Sequence, residues 1–437
     1  AQLDPSPPAT TQAWTYDSLD RVLTHTDRRG IVTTTAVDGE GRVLQTERSG
    51  RIELQTYDRS GKRITATDAR NAITRYFYDA AGRVEREERP LGAILRWTYG
   101  PGDQVLTETD ADGITTTYTY DERLRKKTAT DMQGAVTKYE YNNRGQQTAM
   151  VRALGDTWRW EYEYDEAGRL KWVLDPELNK TLYDYDPTDN RTKITDARRH
   201  ETSMEYDELN RMHLVTHPDD VTETFIYDKE GNRKVWIRGD GQRIERDFDG
   251  LNRTVEERYV PPSTDGLIAV TSQYDGNGNA TRVEQNFGVG NVEVWTAGYD
   301  DFDRRISMVD RNGVAVTQGY DDNDNRVSRT GPEGQSRYGF NALNQLTELT
   351  PPAATSPIAF DVSKAGRLTA ITHLNGTQVK VDRDPVGRVT GIRHLLGTTA
   401  LLALTYTLDA NANRTEEVWD RSGDSHQIAY EYDKADR

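Results

Sequence analysis

Twenty times along this chain a six-residue unit returns at a spacing of about 21, and that register constrains the fold before any single residue does. The first position is aromatic in sixteen copies and Tyr in fourteen, the second is Asp in sixteen, and the sixth carries a polar side chain. Tyr78-Asp79-Ala80-Ala81-Gly82-Arg83, Tyr164-Asp165-Glu166-Ala167-Gly168-Arg169 and Tyr206-Asp207-Glu208-Leu209-Asn210-Arg211 are representative. A period in this range predicts an array in which each unit is one supersecondary element stacked on its neighbours.

The fifth position says what the element is. It is Gly, Asn or Asp in eighteen units, and only Leu124 and Ala412 break the rule. These three residue types tolerate positive φ, so the position is a turn, with the preceding Asp placed to accept backbone N–H bonds across it. A second, weaker turn signature falls midway: Asp68 to Asn71, Asp110 to Gly113, Asp131 to Gly134, Asp310 to Gly313 and Ser422-Gly423. Between the turns lie short runs rich in Thr, Val, Tyr and Trp, which is strand composition. In Trp158-Arg159-Trp160-Glu161-Tyr162-Glu163-Tyr164 the aromatics and the charges take opposite parity, and a strand puts them on opposite faces. The same parity joins Tyr118 to Tyr120, Tyr139 to Tyr141, Tyr183 to Tyr185, Phe225 to Tyr227, Tyr338 to Phe340 and Tyr430 to Tyr432.

Each unit therefore reads as a β-hairpin, and the chain as an all-β protein of tandem hairpins in one long single-layer ribbon. Forty strands at ~4.8 Å give roughly 190 Å, and open sheets rarely exceed ~10 strands without curling, so the ribbon has to coil. Closed once around, it predicts a ring roughly 60 Å across and about 23 Å tall. A 100-residue domain, with a radius of gyration of about 13 Å, fits such a ring.

Composition agrees. Hydrophobic content is 34%, low for 437 residues with a thick core, while 38 aromatic residues at regular positions argue against disorder. A net charge of -16 argues against nucleic acid as a partner, which needs clustered positive charge. No apolar run reaches the length of a membrane span, and Ala1 to Trp14 lacks the basic and apolar regions of a signal peptide. The absence of Cys excludes disulfides and thiolate metal sites. Residues 1–13, with Asp4-Pro5-Ser6-Pro7-Pro8, read as an extended proline-rich leading segment, and 14–437 as one continuous array. Tyr432 to Arg437 stops within a turn motif, which predicts a longer array. Departures from the rhythm gather at Val260 to Ser263, Phe287 to Asn291, Pro351 to Pro357 and Leu395 to Leu408, read as longer hairpins or loops.

Tyr-Asp-x-x-Gly-Arg at this spacing, with Thr-Asp-x-x-Gly between, closely resembles the Rhs repeat, also called the YD repeat, from Trp14 to Arg437. The resemblance implies a ribbon coiled into a hollow shell, as in bacterial Rhs toxins, the shell component of Tc insecticidal toxins and the animal teneurins. In the bacterial members the shell encloses a C-terminal toxin domain until delivery. It thus implies a non-enzymatic wall that leaves the producing cell, with its own C-terminal toxin or cargo domain, further shell segments and a secretion-system component as partners. Cleaved members carry Asp-Pro motifs whose paired aspartates perform autoproteolysis. Asp384-Pro385-Val386-Gly387-Arg388 superficially matches that motif, yet it occupies an ordinary turn with more units following, so no catalytic role is carried onto Asp384.

Other chemistry is thin. His213 and His217 have the one metal-like His spacing, without a third ligand. Asp321-Asp322-Asn323-Asp324-Asn325 clusters oxygens as a Ca²⁺ loop does but lacks the terminal Glu. No cofactor motif is present, and no nucleophile with a base and an orienter can be assembled. Two other functions stay open: a carbohydrate- or receptor-binding module that stacks glycans on the aromatic rungs, and a polysaccharide hydrolase.

Overall fold

The computed structural model describes residues 11–421 and 423–435, so most of the proline-rich leading segment and Ser422 lie outside the described residues. Among the described residues thirty-nine strands, from β1 (Ala13–Tyr16) to β39 (Asp424–Ala429), form one sheet, each hydrogen-bonded antiparallel to the next in the chain. The one helical element among the described residues is a 3-10 turn at Pro90–Gly92. The late departures at Phe287 to Asn291 and Leu395 to Leu408 are longer hairpins, Ala280–Asn286 with Val292–Tyr299 and Val389–Leu396 with Thr399–Leu408.

Every described fifth position is a turn at positive φ, from Asp20 at 58° through Gly82 at 90° to Gly387 at 85°. Leu124 at 60° and Ala412 at 70° obey the geometry despite lacking the side chain that favours it. In those turns Asp121 and Asp409 still accept the same two backbone amides, so the frame overrules the residue. Replacing Gly82 by Val is therefore expected to cost about 1–3 kcal/mol, while Asn, which already occupies this position at Asn210, is tolerated. Urea denaturation of both variants checks this; equal midpoints would contradict the turn assignment.

A second regularity leaves no obvious mark in composition. At each of the nineteen described YD turns the register slips immediately before the first motif residue. Tyr206 pairs with Met212 but Glu205 pairs with Leu214, which leaves His213 as the extra residue of a bulge. Tyr78 with Val84 and Phe77 with Arg86 repeat the slip, as do Tyr164 with Leu170 and Glu163 with Trp172. The plain midway turns carry no such slip in most units, as in Thr128–Thr130 with Val136–Lys138. A bulge bends its strand and increases local twist, and one at the same edge of every unit curls the ribbon steadily in one sense.

The coil closes past one full turn. Arg29, between β2 (Val22–Thr26) and β3 (Val32–Val37), donates to the carbonyl of Asp300, between β27 (Val292–Tyr299) and β28 (Arg305–Val309), 25 strands further on. Arg70, between β6 (Arg63–Thr67) and β7 (Ile73–Tyr78), reaches Asp321 between β29 (Ala315–Tyr320) and β30 (Arg326–Gly331), a step of 23. A revolution of about 24 strands at ~4.8 Å is roughly 115 Å around and 37 Å across. The single wide ring expected from the sequence is thus corrected to a narrower coil of more than one revolution. Its midway turns stack on the YD turns of the next revolution.

The wall is one layer thick. Only eleven hydrophobic residues among those described are buried, including Met204, Phe225, Val235 and Ile244, and no large side chain is fully enclosed. The accessible surface is 25784 Å², against roughly 17,000 Å² for a compact globule of this mass. Side chains reaching ~5 Å inward from the sheet leave a clear width of roughly 27 Å.

Candidate functional site

The repeat motif itself is the most elaborate polar structure in the molecule. In the unit at Tyr78, Asp79 accepts the Arg83 amide at Oδ1 (2.9 Å) and the Arg83 Nε at Oδ2 (2.8 Å). The Gly82 amide donates to the Asp79 carbonyl to close the turn. Arg83 Nη1 then crosses to the next turn, donating to the Gly100 carbonyl (2.8 Å) and Asp103 Oδ1 (2.9 Å), with its guanidinium over the Tyr99 ring at 4.7 Å. The unit at Tyr164 repeats this: Asp165 holds Arg169, whose Nη1 reaches the Asp186 carbonyl (2.8 Å) and whose Cζ lies 4.8 Å from the Tyr185 ring, beyond the turn at Gly168. In the third, Asp207 holds Arg211, which reaches Asp228 and covers Tyr227, beyond the turn at Asn210. The side-chain bond from Arg83 and that from Arg211 hold the carboxyls of Asp79 and Asp207 below the ordinary aspartate range, and the Arg169 amide leads the same effect at Asp165.

The tyrosine hydroxyl has an equally defined task. Between β8 (Val84–Arg89) and β9 (Ala93–Tyr99) the ladder covers only Arg86–Arg89, so Val84 lies beyond its end where neighbouring hairpins splay. The Tyr99 hydroxyl donates to that Val84 carbonyl at 2.6 Å, Tyr78 to Arg63 at 2.7 Å, Tyr120 to Val105 at 2.7 Å and Tyr206 to Arg191 at 3.0 Å. Tyr and Arg together fill the wedge that the bulge opens. Tyr120→Phe is expected to lower stability by about 1 kcal/mol, the net worth of one such bond, measured as a shift in urea midpoint with faster amide exchange around Val105.

Four of the rungs proposed as sugar platforms carry a cation over a ring. Lys126 lies over Tyr118 at 4.0 Å, Arg191 over Tyr183 at 5.8 Å, Arg233 over Phe225 at 5.1 Å and Arg326 over Tyr338 at 4.9 Å. These cation–π contacts cover faces that a glycan would need.

Between revolutions runs a polar seam. Asp27, the one buried charged residue among those described, meets Arg48 Nη2 at 2.8 Å and Asn277 Nδ2 at 2.9 Å. Arg48 also donates to the Asp301 carbonyl and Ser49 to Asp301 Oδ2 at 2.7 Å. Further along, Asp68 accepts from Asn323 (2.6 Å), Asp110 and Asp112 both hold Arg367, and Gln133 accepts from Arg388 (2.6 Å). Sequence reading missed the partners across the seam, which stand 250 or more residues apart.

The isolated candidates fall into this framework. Asp384 accepts the amides of Val386 and Arg388 and the Arg388 Nε at 2.6 Å, as Asp38 and Asp121 do with theirs. Asp321 is a seam acceptor for Arg70, and its loop is tied by Asn325. His213 is a bulge residue and His217 pairs with Glu223 at 3.1 Å; among the described residues no three His, Asp or Glu side chains group as metal ligands. No described helix is long and apolar enough to cross a membrane.

Coiled hairpin ribbon, splay-filling Tyr and edge-bridging Asp–Arg pair define a shell-type repeat module. The sequence model of the teneurin YD-shell matches residues 95–243, and that of the RHS repeat matches residues 57–94 and 320–356. The chain belongs to the Rhs/YD-repeat family. Among solved structures it is similar to TcdB2-TccC3-TEV (14% identity, TM-score 0.55, covering 96% of this chain and 26% of that one). TcdB2-TccC3-Cdc42 gives 13% identity, TM-score 0.54 and coverages of 96% and 26%. The Photorhabdus luminescens Tc holotoxin pore gives 14%, 0.53, 93% and 27%. At this identity the likeness is one of fold, and the chain spans about a quarter of those chains. No curated protein matches it in sequence.

Proposed function

We propose that this chain is a length of wall in a hollow container that encloses another polypeptide, and that it acts by exclusion without catalysis of its own. The observation that carries the reading is the seamed coil: a ribbon whose revolutions lock edge to edge makes a continuous barrier with a lumen. The clear width of roughly 27 Å is smaller than the roughly 34 Å diameter of a folded 100-residue domain. Cargo inside this stretch is therefore extended or small, and inactive while enclosed. The fold shared with components of a Tc holotoxin supports a toxin domain as cargo, carried outside the producing cell.

Expressing the chain with the polypeptide that follows it in its own reading frame, then digesting with protease, tests this. Protection of the cargo relative to cargo alone, undiminished by substitution of Asp384 or His213, is the expected result. Cargo degraded as fast as when free would overturn the reading.

A further inference from the structure

The rims of the coil carry unfilled copies of the joint that holds the seam. Where the sixth motif residue is Arg and is not drawn across the seam as Arg367 is, its own Nη1 takes the carbonyl of the next unit's second residue, as Arg83 does at Gly100 and Arg304 at Asp321 (2.8 Å each). Asn in that place is too short to reach. In the second revolution Asn279 and Asn325 stand there, and an arginine from the first revolution fills each gap. Arg29 donates to the Asp300 carbonyl (2.6 Å) and Asp303 Oδ1 (2.8 Å), and Arg70 to the Asn341 carbonyl and Asp321 Oδ2 (2.7 Å). At a third such unit, that of Asn413, Arg152 reaches the Asn411 carbonyl (3.1 Å).

The same gap exists twice on the uncovered YD rim of the first revolution. Asn190 Nδ2 donates to Asp186 Oδ2 and Asn210 Oδ1 (2.9 Å each), matching Asn325 with Asp321 and Asn344 (2.9 Å each). Asn232 does so with Asp228 (2.9 Å) and Asn252 (3.0 Å). The carbonyls of Asp207 and Asp249 accept only their own turn amides among the described residues, and no guanidinium enters either gap. We propose that the turns of Asn190 and Asn232 are guanidinium slots, and that their occupant is an adjoining ribbon of this repeat class with arginines on two midway turns.

The spacing fits that occupant. The two gaps are two units apart, as are the filled ones at Asn279 and Asn325, and Arg29 and Arg70 come from midway turns two units apart. The opposite rim holds the complementary half: Thr195-Asp196-Ala197-Arg198 repeats Thr67-Asp68-Ala69-Arg70, and the Arg198 guanidinium has no partner among the described residues. A second copy cannot bring its Arg198 into these slots, because the midway rim up to Glu177 already carries the second revolution. The partner is therefore a ribbon of different sequence. The proposal rests on the shell reading and names what the open rim takes up.

A fluorescent, disulfide-cyclised hairpin of residues 63–78, bearing Arg70 at its turn, is the probe. It is expected to bind the full chain and to lose about tenfold or more in affinity when Arg70 alone becomes Ala, Arg63 and Arg75 being kept. It should lose as much against the Asn190→Arg, Asn232→Arg double variant, whose own arginines fill the gaps as Arg169 and Arg211 do theirs. Unchanged hydrogen exchange elsewhere shows that the variant is folded. No binding, or binding indifferent to either change, overturns the proposal. Cargo protection is expected to be the same in both chains, so failure here leaves the container reading standing.

Discussion

Gly276→Val is expected to part the two revolutions where they first meet while leaving every hairpin folded. Gly276 follows the motif aspartate Asp275, and a Cβ built there falls 2.4 Å from the Arg28 carbonyl oxygen and 2.8 Å from its carbon, both backbone of the other revolution. Its own φ lies outside the left-handed region, so the substitution adds no turn strain. Backbone cannot step aside as a side-chain tip can, and overpacking of this kind costs about 1–3 kcal/mol. The seam gives way, releasing Arg29 from Asp300 and Asp27 from Asn277. Gly39 and Gly250 hold the same turn position on the uncovered rim, where a Cβ meets nothing within 4 Å. Faster amide exchange at 27–31 in Gly276→Val, with Gly39→Val and Gly250→Val like wild type, is the expected pattern. Three identical exchange maps would place no seam there.

Asp27→Ala should be the most costly single change in the seam. The Asp27 side chain is only 5% exposed, and its loss strands Arg48 and Asn277 together with the amides of Arg29 and Ile31. Arg48 keeps 23% exposure, so the cost is on the order of 2–3 kcal/mol, below that of a fully buried pair. Burial pushes the Asp27 carboxyl up, but the bonds from Asn277, Ile31 and Arg29 and the charge of Arg48 outweigh it and hold it below 3.8. Burial likewise opposes and is outweighed at Asp112 by Ser363 and Arg367 across the seam, at Asp303 by Asn277 and Asn279 of the neighbouring turn with Arg29 across the seam adding to them, and at Asp321 by Asn325 of its own turn with Arg70 across the seam adding to it. Carboxyls depressed in the folded state contribute stability that is complete above their ordinary value and drains away as the pH falls through it. The seam is thus expected to loosen below about pH 4, and to do so at higher pH in Asp27→Ala, read by exchange at 27–31 across a pH series. A seam insensitive to acid would contradict the carboxylate account.

The turns were legible because positive φ selects residue type, so Gly82, Gly168 and Asn210 announced themselves. Leu124 and Ala412 did not, because there the Asp121 and Asp409 cages impose the geometry on an indifferent side chain. Strands were legible from parity around Tyr162 and Tyr164. The bulge was hidden, since one extra residue such as His213 changes pairing without changing composition. The reason for Tyr over Phe lay in a carbonyl left beyond the ladder's end at Val84, which only the paired strands reveal. Seam partners were out of reach altogether. Which midway turn meets which YD turn depends on the radius of the coil, a sum over about 24 strands of small twists and bends, and no local pattern around Arg29 or Arg70 encodes it.

The chain has no cysteine, so one introduced pair reports on the coil without competition. Ser49 and Asp301 touch across the seam at 2.7 Å although 252 residues separate them. In an uncoiled ribbon the same two turns would stand roughly 110 Å apart. Oxidation of the Ser49→Cys, Asp301→Cys variant at low concentration should give an intramolecular disulfide in nearly all molecules, seen as one faster band on a non-reducing gel. A chain that stays reduced, or that links only to other chains, would contradict the seamed coil and with it the wall.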